Sequence, residues 1–365
     1  MQVLFGGRSY RFPAEALGGT AESPRLRPAA ELLLRWLAER DGPVGVIHDS
    51  FGVLSTLLHE RPGTIYLSDN YSHHRRRLVA LAANGLPASD SGLPRLDEPA
   101  QLQYAVVQVP KSLELFEAYL ANLAANAPAL KAVAASFMTR HFTPRLLEIA
   151  ARYGEVSQSR AYKKARTLVI SHWKGAGQGP TPPRQFSYRG RAYAQYPGVF
   201  STGKIDFATR FLLETWDGHP SLGPDPSVRR ILDIGVGTGV IGLDLRAQHY
   251  PDAQLFGTDV SHAAIRSARA NAPLADYRWQ DDLRGFEPGA FDLIVTNPPF
   301  HDGHRNSIGP TLELFKQAKP LLTKYGRLVV VANRHLNYAT HLRRSFNTVI
   351  AAASTRKYVI LIASA

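Results

Sequence analysis

Short apolar runs alternate with helix-like segments through the second half of the chain. The runs with strand character span residues 228–234, 254–259, 277–280, 291–296, 326–332, 348–352 and 358–363. Helical patterns at 240–248 and 263–271 separate the first three, and Ser261 is a suitable N-cap for the second. Strands that alternate with helices build a parallel, doubly wound α/β sheet.

A weaker copy of this pattern occupies the first half. Residues 44–52 resemble 231–239, Asp69 precedes Asp259 by 190 residues, and His141 precedes His335 by 194. Near-constant offsets between several landmarks indicate a duplicated domain. The Gly- and Pro-rich residues 174–184 have the composition of a linker. We therefore expect two tandem Rossmann-like domains. The first is degenerate, because it lacks most of the glycines that the second carries.

The charge balance favours an acidic partner. The chain has 43 Lys and Arg against 30 Asp and Glu, a net charge of +13. Nucleic acid is the commonest partner for such a protein. Cysteine is absent, which excludes disulfides and thiolate metal sites and is compatible with a reducing cytoplasm. Charges or prolines interrupt every apolar stretch, so no membrane span is expected.

Three glycines at alternate positions, Gly235, Gly237 and Gly239, follow the first strand and open the next helix. Without Cβ atoms, this backbone can turn sharply and approach a ligand closely. Asp259 ends the second strand, where a carboxylate can accept hydrogen bonds from both ribose hydroxyls of a nucleotide-type cofactor. Gly242 lies three residues further on, which leaves a pyrophosphate cofactor such as NAD as an alternative.

Two further acids suit S-adenosylmethionine, which carries no phosphate. Asp233 lies just before the glycine turn, where a carboxylate fits the cationic amino acid end of that cofactor. Asp281 follows the third strand and can accept a hydrogen bond from the adenine amino group. The predicted cofactor contacts are Asp233, Gly235, Gly237, Gly239, Asp259 and Asp281.

The fourth strand ends in the sequence Asn297-Pro298-Pro299-Phe300. Two prolines stop the strand in a rigid, extended form. Asn297 offers a side-chain carbonyl and Pro298 a backbone carbonyl, so together they can hold both hydrogens of an exocyclic amine. Phe300 provides a ring on which a planar base can stack. This pattern predicts a site that orients an amine for methyl transfer.

Several segments together resemble a known family: residues 197–201 with Asp206, 232–239, 297–301 and 331–336. They are similar to class I S-adenosylmethionine-dependent methyltransferases with the (Asn/Asp)-Pro-Pro-(Phe/Tyr) motif. More narrowly, the whole chain resembles the bacterial ribosomal RNA guanine-N2 methyltransferases. That resemblance implies a degenerate methyltransferase-like domain over residues 1–173 that docks RNA, a linker over 174–184, and a catalytic, cofactor-binding domain over 185–365.

The resemblance also implies roles for individual residues and partners. A guanine flipped out of its stack meets Asn297, Pro298 and Phe300, while Ser201 and Asp206 close over the methionine end of the cofactor. Ribosomal RNA is the expected partner, and the protein is expected to act as a cytoplasmic monomer. Residues 331–336 and 163–166 favour the large-subunit branch of the family.

Other functions are left open by the residues. The small-subunit enzyme, an amino-methyltransferase for adenine in DNA or for protein glutamine, and a non-catalytic RNA-binding assembly factor are the alternatives. His301 and His304 lack an evident third ligand, so no metal is predicted. The basic run at 73–77 and the cluster at 163–166 are interpreted either as solvated surface or as RNA phosphate contacts.

Overall fold

The computed structural model describes residues 1–20, 23–88, 92–175, 181–223, 225–298 and 308–364. The chain divides into two compact units, Met1–Pro182 and Pro183–Ala365. Among the described residues, no helix is both long and apolar enough to cross a membrane.

The first unit is built around one mixed sheet with helices on both sides. Its described strands are β1 (Gln2–Phe5), β2 (Arg8–Arg11), β3 (Gly18–Gly19), β4 (Pro24–Arg25), β5 (Val44–Ile47), β6 (Ile65–Leu67), β7 (Tyr104–Gln108), β8 (Ala132–Met138), β9 (Glu155–Gln158) and β10 (Ala165–Ser171). Its described helices are α1 (Pro28–Leu37), α2 (Val53–Leu57), α3 (Tyr71–Ala83), α4 (Leu113–Asn126) and α5 (Pro144–Ala151), with 3₁₀ turns at Ala14–Ala16 and Thr139–His141. The main sheet has the order β6-β5-β7-β8-β10-β9, and strand pairs β1–β2 and β3–β4 lie outside it.

The second unit has a larger sheet of the same kind. Its described strands are β11 (Arg184–Tyr188), β12 (Arg191–Gln195), β13 (Arg230–Ile234), β14 (Gln254–Asp259), β15 (Asp276–Trp279), β16 (Phe291–Thr296), β17 (Leu322–Asn333), β18 (Thr348–Ser354) and β19 (Tyr358–Ser364). Its described helices are α6 (Phe207–Trp216), α7 (Val240–Gln248), α8 (His262–Asn271), α9 (Gly309–Ala318) and α10 (Tyr338–Leu342), with 3₁₀ turns at Lys319–Leu321 and Arg334–Leu336. The sheet order is β15-β14-β13-β16-β17-β19-β18, and β11 pairs with β12 in a separate hairpin.

The predicted duplication is confirmed by the order of the strands. In chain order, β5 to β10 take the same places in their sheet as β13, β14, β16, β17, β18 and β19 take in theirs. In both units the last strand is antiparallel to the rest. The counterpart of β15 is reduced in the first unit to one parallel bridge between Leu67 and Leu93. Both units are therefore Rossmann-like, as expected.

The central strand of the second unit shows why this sheet is buried on both faces. Ile231 and Leu232 are adjacent in β13 and point to opposite faces, and both are fully buried. Ile231 belongs to the apolar cluster that contains Trp216 of α6, whereas Leu232 belongs to the cluster around Phe315 of α9. Helices therefore cover both faces and leave the ends of the parallel strands open for a site.

In the first unit, the corresponding strand ends are filled by polar side chains of the unit itself. The His48 Nδ1 atom lies 3.2 Å from the Tyr119 hydroxyl, which also accepts a hydrogen bond from the Asp69 amide at 2.8 Å. The His48 and His73 rings meet edge to face with centroids 4.7 Å apart. Burial lowers the pKa of His48 to about 4, and burial followed by nearby positive charge lowers that of His73 as well.

The basic run at 73–77 is therefore only partly a surface feature. His73, His74 and Arg77 are buried, and only Arg75 and Arg76 are exposed. The helix that carries them, α3, packs closely on Gly52: a Cβ atom there would lie 2.6 Å from the Arg77 Cα atom. Interpreting the whole run as solvated surface or RNA contact was wrong for the three buried residues, because helix packing takes precedence over residue type.

We expect the stability of the first unit to fall as the pH decreases from about 6.5 towards 4. In that range the unfolded chain protonates His48 while the folded unit keeps it neutral. The effect of this one group amounts to at most about 3 kcal/mol. His48→Asn is the informative variant, because His48 has a φ of +58° that asparagine tolerates and asparagine does not titrate.

Urea unfolding of the wild type and of His48→Asn at each pH, followed by hydrogen exchange in peptides of the first unit, measures the difference in stability between the two proteins. Burial raises the pKa of Asp49, which acts in the opposite sense, but this group is common to both proteins. A pH dependence that is equal in the two proteins would show that His48 does not cause the loss.

Candidate active site

The register of the sheet brings two chain segments together at the carboxyl ends of β13 and β16. Ile234 pairs with Thr296 in parallel register, so Gly235 and Asn297 leave the sheet side by side. The Thr296 hydroxyl donates to the Ile234 carbonyl at 2.7 Å and fixes the strands at this point. The glycine turn and the Asn-Pro segment, which lie about 60 residues apart in the sequence, therefore form one corner.

The glycine turn has the conformation that its sequence requires. Gly235, Gly237 and Gly239 have φ values of +76°, +54° and +79°, a region that other residues adopt at a cost. A Cβ atom on Gly239 would lie 3.3 Å from the Tyr277 hydroxyl. On Gly235 or Gly237 it would have no neighbour within 4 Å among the described atoms. The turn therefore borders open space on the side where a ligand is expected.

Asp259 holds this turn in place. Its Oδ2 atom accepts a hydrogen bond from the Gly237 amide at 3.0 Å, and its Oδ1 atom accepts one from the Ser261 amide at 2.8 Å. Burial raises the pKa of Asp259, while the hydrogen bonds to its carboxylate oppose that shift. Each carboxylate oxygen keeps a second lone pair for a ligand.

Asp233 lies beneath the turn and is almost completely buried, with 1 % of its surface exposed. Burial raises its pKa to about 7, and the nearby Asp259 carboxylate adds to the shift. Asp281 lies after β15, one residue beyond Gln280, whose amide donates to the Asp259 carbonyl at 3.1 Å. The three predicted acids are therefore grouped around the ends of β13, β14 and β15.

Asn297 has the most informative geometry in the corner. Its Nδ2 atom donates to Asp206 Oδ2 and to Thr209 Oγ1, both at 3.0 Å. Its Oδ1 atom is buried and has no hydrogen-bond partner in the described part of the chain. Because an ionised carboxylate can only accept hydrogen bonds, the atom that faces Asp206 must be the Asn297 NH2 group, and the other atom is the carbonyl oxygen. The side-chain carbonyl is thus left available as an acceptor.

Pro298 is buried directly after Asn297, and its backbone carbonyl is a second acceptor in the same corner. Phe300, the third residue of the predicted amine site, lies outside the described residues, as do His301 and His304. Within the residues that are described, no three His, Cys, Asp or Glu side chains are grouped so that they could hold a metal ion.

The contact between Asp206 and Asn297 was missed by sequence reasoning. The resemblance placed Asp206 at the methionine end of the cofactor, and that role stays a prediction. In the structure Asp206 is the N-cap of α6, and its Oδ2 atom also accepts from the Ala208 and Thr209 amides at 2.9 and 3.2 Å. The segment before it is held by Gln195, whose Nε2 atom donates to the Phe200 carbonyl at 2.9 Å. An aspartate just before an apolar, helix-forming run is an N-cap signal that could have identified α6.

Two family models match the chain in succession. Residues 24–174 match the RLMG N-terminal domain, and residues 192–362 match the methyltransferase small domain.

Relatives of similar length cover almost the whole chain. A Streptomyces coelicolor protein named ribosomal RNA large subunit methyltransferase G is 35% identical over 93% of this chain and 95% of its own length. A Pseudoalteromonas translucida protein of the same name is 29% identical over 100% of this chain and 98% of its own. Among solved structures, a T. thermophilus 16S rRNA N2 methyltransferase in complex with AdoMet and guanosine has a TM-score of 0.74 and 26% identity, covering 100% of this chain and 97% of that one.

The N-cap contacts of Asp206 lead to a test of the local structure. We expect Asp206→Ala to lower the stability of α6 by roughly 1–2 kcal/mol, because two helix amides and Asn297 lose their common acceptor. Hydrogen exchange in peptides covering residues 207–216 should become faster. Asp225→Ala is the matched control, since Asp225 is an aspartate that bonds only its own turn at Ser227. Equal exchange in the two variants would contradict the proposed contact.

Proposed function

The chain belongs to the ribosomal RNA large subunit methyltransferase G family, and on this basis we propose that it methylates the 2-amino group of a guanine in large-subunit ribosomal RNA. S-adenosylmethionine is the methyl donor. The observation that most directly supports amine chemistry is the buried Asn297 Oδ1 atom beside the cofactor turn, an acceptor that has no partner among the described residues. We infer the large-subunit substrate from relatives whose names specify that subunit; the 16S enzyme is less similar to this chain, at 26% identity.

The residues at the glycine turn fit this cofactor. No atom of the described residues lies within 4 Å of a Cβ atom built on Gly235 or Gly237, which leaves room for a ligand against the backbone. The Asp233 and Asp259 carboxylates beside it suit a cationic amino acid end and ribose hydroxyls, and they would repel a pyrophosphate. The alternative of an NAD-type cofactor is therefore disfavoured. We assign Asp281, at the end of β15, to the adenine amino group.

The corner formed by Asn297 and Pro298 then orients the target. When bound, S-adenosylmethionine supplies an electrophilic methyl group. Asn297 Oδ1 and the Pro298 carbonyl accept the two hydrogens of the guanine 2-amino group, which draws the nitrogen lone pair out of conjugation with the base. Phe300 stacks on the flipped base. The nitrogen would gain the methyl group as the bond from that group to the sulfonium sulfur breaks, S-adenosylhomocysteine would be the leaving group, and the amine would give up one proton to solvent. Holding the amine in this orientation lowers the barrier substantially.

Asp206 and Thr209 act as positioning residues in this scheme. Both accept from Asn297 Nδ2, so the amide cannot turn its NH2 group towards the target amine. A target amine facing that NH2 group would meet a donor instead of an acceptor. A ribosomal RNA substrate also implies that the enzyme acts in the cytoplasm.

Methyl transfer from labelled S-adenosylmethionine tests the function. The substrates are ribosomal RNA of each subunit from a strain lacking the gene, together with DNA and a glutamine-containing protein fraction. We expect label only in large-subunit RNA, recovered as N2-methylguanosine after digestion to nucleosides. Label in small-subunit RNA, adenine or glutamine would identify one of the alternatives, and no transfer to any substrate would favour a non-catalytic assembly factor.

Removing the Asn297 side chain should separate binding from chemistry. We expect Asn297→Ala to lower kcat by roughly 100-fold or more, because one of two carbonyls that orient the amine is lost. The affinity for S-adenosylhomocysteine should stay within about twofold of wild type. Thr209→Val removes only one of the two acceptors that hold Nδ2 and should cost about tenfold or less. Wild-type kcat in Asn297→Ala would rule out this amine site.

Asp233 makes cofactor affinity dependent on pH. Its pKa of about 7 in the ligand-free protein means that the carboxylate is ionised above pH 7 and protonated below. A cationic ligand prefers the ionised form, so affinity should be fully developed above pH 7 and weaken by up to roughly tenfold per pH unit below it. Calorimetric titration with S-adenosylhomocysteine at several pH values measures this change in affinity. Repeating it in two buffers of different ionisation enthalpy also measures the number of protons released on binding. Asp233→Asn should bind more weakly without the pH dependence; a flat wild-type profile would contradict the assignment.

A further inference from the structure

Two consecutive lysines form a strained turn in the first unit. Lys163 and Lys164 connect β9 to β10 through a two-residue turn in which Tyr162 and Ala165 exchange both backbone hydrogen bonds, each at 2.8 Å. The φ values of the lysines are +45° and +65°. Both central residues of a type I′ hairpin turn have positive φ, and such turns are usually Asn-Gly. Lysine is an unfavourable residue at either position.

The turn lies at the edge of the sheet where doubly wound folds bind ligands. β10 is antiparallel to β8, and Ala165 at its start pairs with Met138 at the carboxyl end of β8. The Lys164 carbonyl accepts from the Thr139 amide at 2.8 Å, which ties the turn to the 3₁₀ turn at Thr139–His141. The two lysines are therefore placed next to the carboxyl ends of the parallel strands.

Other positive side chains share this edge. Arg140, His141 and Lys111 are exposed in the segments that follow β8 and β7. Partial desolvation lowers the pKa of His141, and the positive charges of Arg140 and Lys111 lower it further, so the three groups lie within electrostatic reach of one another. By contrast, Asp49 and Asp69, the carboxylates that follow β5 and β6, are buried. The exposed charge of these loops is predominantly positive.

The lysines themselves are only weakly neutralised. Lys163 Nζ is 3.9 Å from Glu31 Oε2 and lies over the Tyr162 ring at 4.7 Å. Lys164 is exposed and has no carboxylate within ion-pair distance in the described residues. Backbone strain at exposed charged residues is typical of positions kept for binding, and for Lys164 no ion pair within the described residues accounts for it.

We propose that the Lys163–Lys164 turn binds backbone phosphates of the ribosomal RNA substrate. The proposal rests on the proposed function and adds to it a surface of the first unit that contacts the RNA. The turn carries two consecutive exposed lysines on a hairpin tip whose backbone is fixed by hydrogen bonds, so two phosphates of one strand can be bound with little loss of backbone entropy. Such contacts add affinity without sequence specificity.

The double variant Lys163→Asn, Lys164→Gly distinguishes binding from stability, because the two effects have opposite signs. Asn-Gly suits the turn, so the urea midpoint of the first unit should increase. RNA affinity should nevertheless fall about tenfold or more at low salt, and the slope of log K against log [salt] should decrease in magnitude by about 1.5–2. The charge-only variant Lys163→Gln, Lys164→Gln should lose the same affinity while leaving the turn strained.

Lys131→Gln, Lys174→Gln is the matched control, because it removes two exposed lysines from the opposite edge of the same sheet. Lys131 precedes β8, Lys174 follows β10, and neither belongs to the site described above. We expect this control to keep wild-type RNA affinity within about twofold. In the turn variant, S-adenosylhomocysteine affinity and kcat at saturating RNA should also be unchanged.

The outcomes separate the two proposals. If the wild-type protein methylates ribosomal RNA but the turn variant binds it with wild-type affinity and salt dependence, the turn proposal is wrong and the proposed function stands. Equal losses in the turn variant and the Lys131/Lys174 control would also overturn it, since they would indicate a diffuse charge effect. A loss confined to assembled ribosomal particles, with naked RNA bound normally, would point to an acidic protein surface and would exclude RNA phosphate. If the wild-type protein transfers no methyl group to RNA, the function itself fails.

Discussion

The two hydrogen bonds donated by Asn297 Nδ2 determine what this site can do. They tie the end of β16 to the start of α6 and leave a carbonyl oxygen as the only polar atom of that side chain open to a ligand. The parallel register of β13 and β16 puts this oxygen beside the glycine turn, and Asp259 holds the turn itself. The glycine turn and the Asn297 carbonyl are therefore neighbours because of the register of the sheet.

The duplicated architecture shows how far a fold can be separated from its chemistry. Both units have the same strand order, yet the first replaces the open glycine turn with interlocked polar side chains around His48 and Tyr119. Its sheet and its buried apolar core persist because they depend on patterning rather than on ligand contacts. The loops that follow β7 and β8 expose positive side chains at these strand ends, where the second unit has a glycine turn.

Much of the second unit could be predicted from sequence. Strands that are buried on both faces have continuous apolar sequences, and here these runs are followed by turn glycines and acidic residues. The helix α6 and the hairpin of β11 and β12 were missed, since they precede the repeating pattern and their residues are ordinary. The contact between Asp206 and Asn297 spans 91 residues and has no periodic signal. In the first unit, the charge-rich helix α3 was misjudged because Gly52 allows its backbone to approach so closely that His73, His74 and Arg77 become buried.

That same close approach bears on how such a protein can change over generations. A Cβ atom on Gly92 would lie 2.4 Å from the Tyr66 ring and 2.8 Å from His74 Nδ1, and Gly52 is equally crowded by Arg77. Restoring a cleft in the first unit would require several of these interlocking residues to change at once, since each single replacement leaves a clash or an orphaned polar group. Single substitutions at these positions are therefore expected to destabilise the first unit before they open a cleft in it.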